Sequence, residues 1–389
     1  MRDAPLRRFR IELDAAGISP FTVPVLNDLP STRNRAPGRR PRIRRGLVAA
    51  GVLLSGLGVA GPAPAANRLA SVAPEPGTVT TPHPPAALGG NWKTNFAKRV
   101  VPLSEFQAGG PGKDGIPAID HPRFAAVRSV DFLHSKEPVL ELVVGERSRA
   151  YPLQILIWHE IVNDTVAGVP VAVTFCPLCN TAIVFDRRTA QGTLSFGVSG
   201  NLRNSDLVMF DRTTETWWQQ FGGLGLVGDL AGTRLRTLPA RIVSWADFRR
   251  AHPRGDVLTR ETGFERSYGQ NPYAGYDNAA IPPFFPTKNA NDHRLAPKER
   301  VVFLQHGGQA AVVPHSALAR GRTVTLKLDG VSFVVRARGS VSSPLDTGAL
   351  ADGRAILAVD VLADGKPAAF DEPFWFAVAA FRPDARIIR

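Results

Sequence analysis

Residues 153–186 read LQILIWHEIVNDTVAGVPVAVTFCPLCNTAIVFD and decide the expected fold. Residues 153–162 are a helical candidate, whereas residues 169–175 and 182–185 are short apolar runs of the kind that forms strands. The motif Cys176-Pro177-Leu178-Cys179 lies between these two runs, so we expect it to occupy a hairpin turn. The stretch therefore predicts a helix, a strand, a turn that carries both cysteines, and a second strand.

The chain from residue 91 onward shows the same pattern of short apolar runs and turn residues. Short apolar runs, such as residues 139–144 and 301–304, are separated by Gly, Pro, Asn or Asp, which predicts many short strands joined by turns. A second helix is expected at residues 245–251, where Ser244 and Asp247 have the spacing of a capping box. We predict a β-rich α+β fold with a few short helices.

Two parts of the chain, residues 139–200 and 301–345, resemble each other weakly. In each part a glycine precedes a proline by seven residues, at Gly145 and Pro152 in the first and at Gly307 and Pro314 in the second. Such coincidences also arise by chance in a chain rich in Gly and Val. If the repeat is real, two related β-modules pack as one globule, and only the first carries the cysteines.

The N-terminal 90 residues differ in composition from the rest. Residues 1–66 form a leader, in which residues 39–66 show the basic, apolar and small-residue order of an export signal. Residues 67–90 are rich in Pro and Ala and predict a disordered tether, so the globular domain is expected at residues 91–389. We expect an exported protein, with the Arg44-Arg45 pair suggesting the twin-arginine route. The alternative is an uncleaved membrane anchor, and no other part of the chain is expected to meet a membrane.

The chain is basic, but the charge is unevenly distributed. The 389 residues carry a formal net charge of +13, and the leader alone contributes a surplus of seven. The remaining basic residues are scattered among acids without aromatic interleaving, so we expect no nucleic-acid partner. Two cysteines are too few for a disulfide-stapled scaffold. The sequence names no other partner.

The two cysteines are the strongest candidates for chemistry. A lone C-x-x-C in an exported protein is a disulfide, a redox-cycling dithiol or half of a metal site. Asn180 follows the motif, which excludes covalent haem attachment because that linkage needs a histidine there. The turn also disfavours a thioredoxin-like arrangement, in which the motif opens a helix. A static disulfide would close a very small loop and so stabilise little.

One hypothesis is a thiol oxidoreductase that needs no cofactor. Cys176 would be the reactive sulfur and Cys179 the resolving one, with His159 as the base and Glu160, Asn163 or Asp164 orienting it. The sequence then predicts that an imidazolium or the turn amides lower the pKa of Cys176 from about 8.5 to about 7 or below. The alternative for the adjacent His159 and Glu160 is one core histidine and one surface carboxylate.

Two other hypotheses stay open. The same cysteines could hold copper or zinc together with His159 or Met209, because thiolate, imidazole and thioether groups are ligands for these metals. No second cysteine pair exists to complete a zinc knuckle, and a lone methionine in a strand is more often core filler. The remaining hypothesis is a structural or interaction protein.

Six further residues are candidates for substrate binding because they lie beside the histidine or in polar and aromatic loops. They are Trp158, Asn163, Asp164, Asn201, Trp217 and Tyr273. Asn163 and Asp164 also fit a helix-ending turn, and the tyrosine-rich segment 268–276 could instead cover a sheet edge.

Several motifs in order carry a family resemblance. They are residues 114–120, 150–153, 158–160, 162–164, 175–179, 185–187, 217–219 and 268–276. Over residues 92–385 the chain resembles a prokaryotic domain-of-unknown-function family, number three-one-seven-nine in that series. The resemblance implies a redox-active chalcogen in the Cys-Pro-Leu-Cys element, since some relatives are selenoproteins. Many relatives have Thr at the position of Cys179, which implies that Cys176 is the primary residue and argues against an obligate two-cysteine zinc knuckle.

Overall fold

The computed structural model describes residue 88 and residues 90–389, which belong to one compact unit. The expected leader (1–66) and most of the expected tether (67–90) lie outside the described residues. Leu88, which falls in that tether, is buried in the apolar cluster around Trp217. No helix in the described part of the chain is long and apolar enough to cross a membrane.

Helices are few and short in the described residues. The α-helices are α1 (Leu153–His159), α2 (Trp245–Ala251) and α3 (Trp375–Phe381), and 3-10 helices span Leu103–Glu105, Val127–Ser129, His315–Gly321 and Leu350–Asp352. The predicted helix at residues 153–162 therefore ends three residues early, because the chain turns into a strand after Glu160.

Strands make up most of the regular structure. In the first part of the domain they are β1 (Phe106–Ala108), β2 (Phe124–Ala126), β3 (Pro138–Val144), β4 (Arg147–Pro152), β5 (Ile161–Val166), β6 (Val169–Cys176), β7 (Thr181–Asp186), β8 (Arg188–Thr189), β9 (Gly192–Thr193), β10 (Phe196–Arg203), β11 (Asp206–Asp211), β12 (Trp217–Gln219), β13 (Gly225–Val227), β14 (Arg236–Leu238), β15 (Ala240–Ser244) and β16 (Asp256–Leu258). In the second part they are β17 (Val301–His306), β18 (Gln309–Pro314), β19 (Thr323–Leu328), β20 (Val331–Ser342), β21 (Ala355–Ala363), β22 (Lys366–Pro367) and β23 (Arg386–Ile387). The predicted β-rich α+β fold class is confirmed.

The strands form several small sheets rather than one large one. The strand orders in the described residues are β1-β10-β11-β12-β13, β14-β7-β6-β5, β15-β3-β4-β16-β2, β17-β18-β23, β19-β20-β21-β22 and the ribbon β8-β9. Strands β6 and β7 are antiparallel neighbours, with Cys176 paired to Thr181. The Cys-Pro-Leu-Cys segment therefore joins two adjacent strands, as the sequence predicts.

The two similar segments have the same order of elements. In the first, the hairpin β3–β4 leads into α1, then into the hairpin β5–β6 and strand β7. In the second, the hairpin β17–β18 leads into the 3-10 helix His315–Gly321, then into the hairpin β19–β20 and strand β21. All four hairpins pair six residues on each strand before a two-residue turn, and in both copies the proline before the helix ends the second strand. This common order is what two related β-modules require.

Turn chemistry fixes the register of the hairpin that leads to the cysteines. The turn between β5 and β6 is Ala167-Gly168, with φ values of 47° and 78°. Two consecutive residues with positive φ match the right-handed twist of the flanking strands. The resulting register pairs Val166 with Val169 and Ile161 with Thr174, which brings the end of α1 beside the end of β6.

Ser244 caps α2, as the sequence predicts, because its side chain accepts a hydrogen bond from the backbone N–H of Asp247. We expect Ser244→Ala to lower the free energy of unfolding by about 1 kcal/mol, since one N–H at the helix start would lose its partner. Urea unfolding of the full chain measures this. Ser316→Ala is the matched control, because that exposed hydroxyl bonds only a glutamate side chain. Equal losses in both variants would contradict the capping role.

Candidate functional site

The end of helix α1 places Glu160 beside the cysteine turn. Glu160 closes the helix in a left-handed conformation (φ 58°, ψ −29°), which costs a non-glycine residue about 1 kcal/mol. Its carbonyl oxygen accepts a hydrogen bond of 2.8 Å from the N–H of Phe175, the residue before Cys176. The hairpin register thus holds Glu160 and Cys176 at the same end of two neighbouring strands.

Three donor side chains meet at the cysteine turn. Sulfur atoms of Cys176 and Cys179 and a carboxylate oxygen of Asp206 all lie within 4.8 Å of one another. Cys179 Sγ donates a hydrogen bond of 2.8 Å to Asp206 Oδ1. The exposed fractions of the three residues are 2%, 0% and 0%, so the group is closed to bulk water. We call Cys176, Cys179 and Asp206 the thiol–carboxylate cluster.

Asp206 is held from the side that faces away from the thiols. Its second oxygen, Oδ2, accepts hydrogen bonds from Gln219 Nε2 at 2.5 Å and from the N–H of Phe221 at 2.9 Å. Strand β11 begins at Asp206 after the turn Asn204-Ser205, where both residues have positive φ. These contacts fix the carboxylate plane, so Oδ1 is the oxygen that faces Cys179.

A chain of polar contacts runs from Cys179 through Thr181 and Gln220 to Thr174. Its sulfur lies 2.9 Å from Thr181 Oγ1, which donates to Gln220 Oε1 at 2.5 Å. Gln220 Nε2 in turn donates to Thr174 Oγ1 at 2.9 Å. The Thr181 hydroxyl proton is directed to Gln220, and the single proton of the Cys179 thiol is directed to Asp206 Oδ1.

Residues 371–374, in the second half of the chain, form hydrogen bonds with the cysteine turn and the residues after it. Asn180 has a φ of 59° and its side-chain nitrogen donates to the carbonyl of Glu372 at 2.7 Å. The N–H of Phe374 donates to the carbonyl of Cys179 at 2.9 Å, and Asp371 Oδ1 accepts from the N–H of Ala182 at 3.1 Å. The segment before α3 therefore fixes a turn that lies almost two hundred residues earlier in the sequence.

Burial raises the pKa of each of the three groups in the cluster. Burial raises the pKa of Cys176, and nearby Asp206 and Glu160 add to this against a hydrogen bond with Cys179 that lowers it. Burial raises the pKa of Cys179 further, and it also raises that of Asp206. Burial and the charge of Asp206 together raise the pKa of Glu160 to about 8. The prediction of an acidic Cys176 thiol is therefore wrong, because desolvation outweighs the turn amides.

His159 makes contacts away from the thiol–carboxylate cluster. Its Nδ1 lies 2.7 Å from the carbonyl oxygen of Pro117 and its Nε2 lies 2.6 Å from the hydroxyl of Tyr268. Burial lowers its pKa from 6.5 to about 4, so the ring is neutral at physiological pH. His159 is not among the groups that perturb the Cys176 thiol, and the structure favours the alternative of a hydrogen-bonded core histidine.

The buried His159 makes folding stability depend on pH. Its folded pKa lies below its unfolded value, so its contribution is complete above about pH 6.5 and is lost as the pH falls toward 4. The loss is about 3 kcal/mol, since each pKa unit corresponds to about 1.4 kcal/mol. We expect the stability difference between wild type and His159→Gln to shrink by that amount in urea unfolding from pH 7 to pH 4. His134→Gln, at an exposed position, should show no such change.

Met209 and Trp217 serve the core. Met209 lies in β11 with no exposed surface and belongs to the main apolar cluster, which also contains Cys176 and Cys179. Trp217 is also fully buried, and its ring makes edge contacts with Trp92, Phe96 and Phe106 at centroid distances of 5.1–5.4 Å. Trp217 belongs to a different apolar cluster from the cysteines, so the structure does not support its assigned role as a substrate contact.

Asn163 and Asp164 are fully engaged in structural hydrogen bonds. The Asn163 side chain accepts a hydrogen bond of 2.9 Å from the N–H of Phe196 and donates one of 2.8 Å to the carbonyl oxygen of the same residue. Asp164 Oδ2 accepts from Arg149 at 2.5 Å and from the Tyr151 hydroxyl at 2.6 Å. These two residues lie within β5 rather than in a helix-ending turn, and their polar atoms are occupied by the fold.

The other three candidate binding residues share one cavity with Glu160. Trp158, Asn201 and Tyr273 line a space of about 100 Å³, together with Leu178 from the cysteine turn. We call this the Glu160 cavity. It is the place where residues 158–160, the loop 268–276 and strand β10 come together, which the sequence alone did not predict.

Sequence reasoning assigned no role to Asp206, although it recognised the polar loop that ends there. The available signal was the Asn204-Ser205 turn. This turn joins the antiparallel strands β10 and β11, so Asp206 is the first residue of β11. That signal gives the position within one hairpin but not the neighbouring sheet. Only the packing of β11 beside the cysteine turn shows that Asp206 is the third donor.

Comparisons with known proteins give a family but no activity. No curated protein and no solved structure matches the chain. The family model described as "Protein of unknown function (DUF3179)" matches residues 113–385, well over half of the chain, and agrees with the resemblance seen in the motifs. Its range contains the thiol–carboxylate cluster and all of the residues that line the Glu160 cavity except Gly109 and Pro111. The chain belongs to the DUF3179 family of proteins of unknown function.

Proposed function

We propose that Cys176, Cys179 and Asp206 bind a zinc ion. The observation that carries the proposal is the meeting of two sulfurs and one carboxylate oxygen within 4.8 Å in a closed site. Ligand atoms around tetrahedral zinc are about 3.3–3.8 Å apart, given metal–ligand distances near 2.0–2.3 Å. Cys179 Sγ and Asp206 Oδ1, which lie 2.8 Å apart, would therefore separate by less than about 1 Å on binding. The three groups supply three ligands and leave a fourth position free, which is the pattern of zinc sites that act on a substrate.

The surroundings of the cluster favour a cation. Two thiols, Asp206, Glu160 and Asp371 are buried near one another, and burial raises the pKa of Glu160 and Asp371 to about 8. A divalent ion would offset the repulsion from Asp206, which adds to the effect of burial on both pKa values. The two hydrogen bonds to Asp206 Oδ2 orient the carboxylate as outer partners of a metal ligand do. Carboxylate is a hard ligand, which favours zinc over copper(I) at this donor set.

Metal analysis of the full chain tests the proposal. Reduced, metal-free protein is mixed with zinc, passed over a desalting column and assayed for zinc per chain. We expect one zinc per chain, protection of both thiols from alkylation, and release of protons on binding because the thiols are protonated beforehand. Zinc no higher than in the Cys176→Ser/Cys179→Ser double variant would contradict it.

A dithiol–disulfide couple is the second candidate function, and the Cys179–Asp206 hydrogen bond favours it. A buried carboxylate at 2.8 Å can take the Cys179 proton as that sulfur attacks a mixed disulfide on Cys176. Against a low-molecular-weight disulfide, the two protein thiols become one S–S bond and the oxidant is reduced to two thiols. Equilibration with glutathione buffers tests this: Asp206→Asn should slow closure of the disulfide, and thiols that stay reduced in oxidised glutathione would exclude it.

We further propose that the chain is exported, on the basis of the basic, apolar and small-residue order of residues 39–66. The mature chain would then begin near Ala66 or Asn67. N-terminal sequencing of the protein from its native host tests this. Recovery of residue 1 or residue 46 at the N-terminus would contradict it.

A further inference from the structure

The Glu160 cavity combines aromatic walls with one acid. Trp158, Tyr273, Phe284 and Phe285 contribute rings to its lining, and Leu178 adds an apolar side chain from the cysteine turn. Phe284 is 41% exposed, so the cavity has an aromatic edge that a small molecule can reach from solution. Its volume of about 100 Å³ admits only a compact group.

Glu160 is the one acidic residue among the described residues of this lining, and no basic residue faces it. Among the described residues that line the cavity there is no Lys, Arg or His. Glu160 is 93% buried, at 7% exposure, and its carboxyl group takes part in no hydrogen bond or ion pair within the described part of the chain. Its oxygens are not among the fully enclosed polar atoms without a partner, so they are reachable from the cavity and available to a ligand.

The chemistry of that ligand follows from the walls. Aromatic faces carry negative charge density and attract cations, most strongly when water is excluded. The lining offers one acid and no basic residue among the described residues, which disfavours an anion. We propose that the Glu160 cavity binds a small organic ammonium ion, with the Glu160 carboxylate as its counter-charge and the four rings as its cage.

This site is separate from the proposed zinc centre. Glu160 is not part of the thiol–carboxylate cluster, and neither cysteine lines the cavity. Ammonium binding therefore requires no metal and no change at the thiols. The Cys176→Ser/Cys179→Ser double variant should retain it, which makes failure of this proposal distinguishable from failure of the zinc proposal.

A matched pair of probes tests the proposal. Choline and 3,3-dimethylbutan-1-ol have the same shape, but only choline carries a charge. We expect titration calorimetry of the full chain, at constant ionic strength, to show choline binding at least about tenfold more tightly, which corresponds to about 1.4 kcal/mol. Equal affinity for both probes would show a merely apolar cavity and overturn the proposal, as would the absence of choline binding.

Two variants identify the groups responsible. Glu160→Gln should weaken choline binding at least about tenfold and leave the alcohol unaffected, because only the charge is removed. Phe285→Leu should weaken choline more than the alcohol, because it removes a ring and keeps an apolar side chain. Glu261→Gln, at an exposed acid paired with Arg123, is the control and should change neither affinity. Unchanged choline binding in a folded Glu160→Gln protein would overturn the proposal.

Discussion

Cys179→Ser should lose stoichiometric zinc, with an affinity at least about 100-fold below wild type, because a hydroxyl is a far poorer ligand than a thiolate. Loss of an outer partner costs about 10- to 100-fold in metal affinity, and loss of a direct ligand costs more. Asp206→Asn should weaken zinc by a similar amount, since the amide keeps the shape but not the charge. Competition with a chromophoric chelator measures both affinities.

Two further variants separate the metal site from its surroundings. Met209→Leu should bind zinc as wild type does, because the three proposed ligands are unchanged and leucine keeps an apolar side chain of similar volume in the core. Gln219→Leu should bind about 10- to 100-fold more weakly, since Asp206 Oδ2 would lose its bond at 2.5 Å. Zinc retained by Cys179→Ser but lost in Met209→Leu would restore the thioether ligand of the sequence hypothesis and contradict the cluster described above.

Trp217→Ala should lower the free energy of unfolding by about 3–5 kcal/mol, which is the range for removal of a fully buried aromatic side chain. The ring is 0% exposed and is surrounded by Trp92, Phe96 and Phe106 in edge contacts. Truncation would leave a cavity beneath β12 that these rings cannot fill without moving. Urea unfolding of the full chain measures the loss.

The matched variant is Trp217→Phe. It keeps an aromatic ring and removes an indole N–H that has no hydrogen-bond partner among the described residues, so it should cost less than half as much. Choline and zinc affinities should be unchanged in Trp217→Phe. A variant of wild-type stability that has lost choline binding would instead support the sequence assignment of Trp217 to substrate binding.

The local structure around the cysteines was predictable because neighbouring residues decide it. The apolar runs before and after Cys176-Pro177-Leu178-Cys179 indicate two strands, and the structure confirms β6, β7 and the turn between them. Ser244 and Asp247 likewise predict the start of α2. The helix at residues 153–162 was predicted too long, since Ile161 and Val162 fit either a helix or a strand and pairing with β6 selects the strand.

The candidate site was less predictable because its members come from separate sheets. Sequence proximity suggested that His159 faces Cys176. The structure instead places Glu160, the next residue, near enough to Cys176 to raise the pKa of its thiol. Adjacent residues at a helix end point in different directions, and the left-handed conformation of Glu160 redirects the chain there. His159 is thereby directed to Pro117 and Tyr268.

The amino-acid sequence by itself determined the β-rich fold class, the cysteine turn and the family, because apolar periodicity, turn residues and motif order are local properties. Tertiary structure alone decided that Asp206 completes the cluster, that the thiols have raised pKa values and that Glu160 faces an aromatic cavity. The physical reason is that desolvation and the proximity of charges depend on which sheets pack together. Residues 206 and 371–374 reach the turn only through that packing.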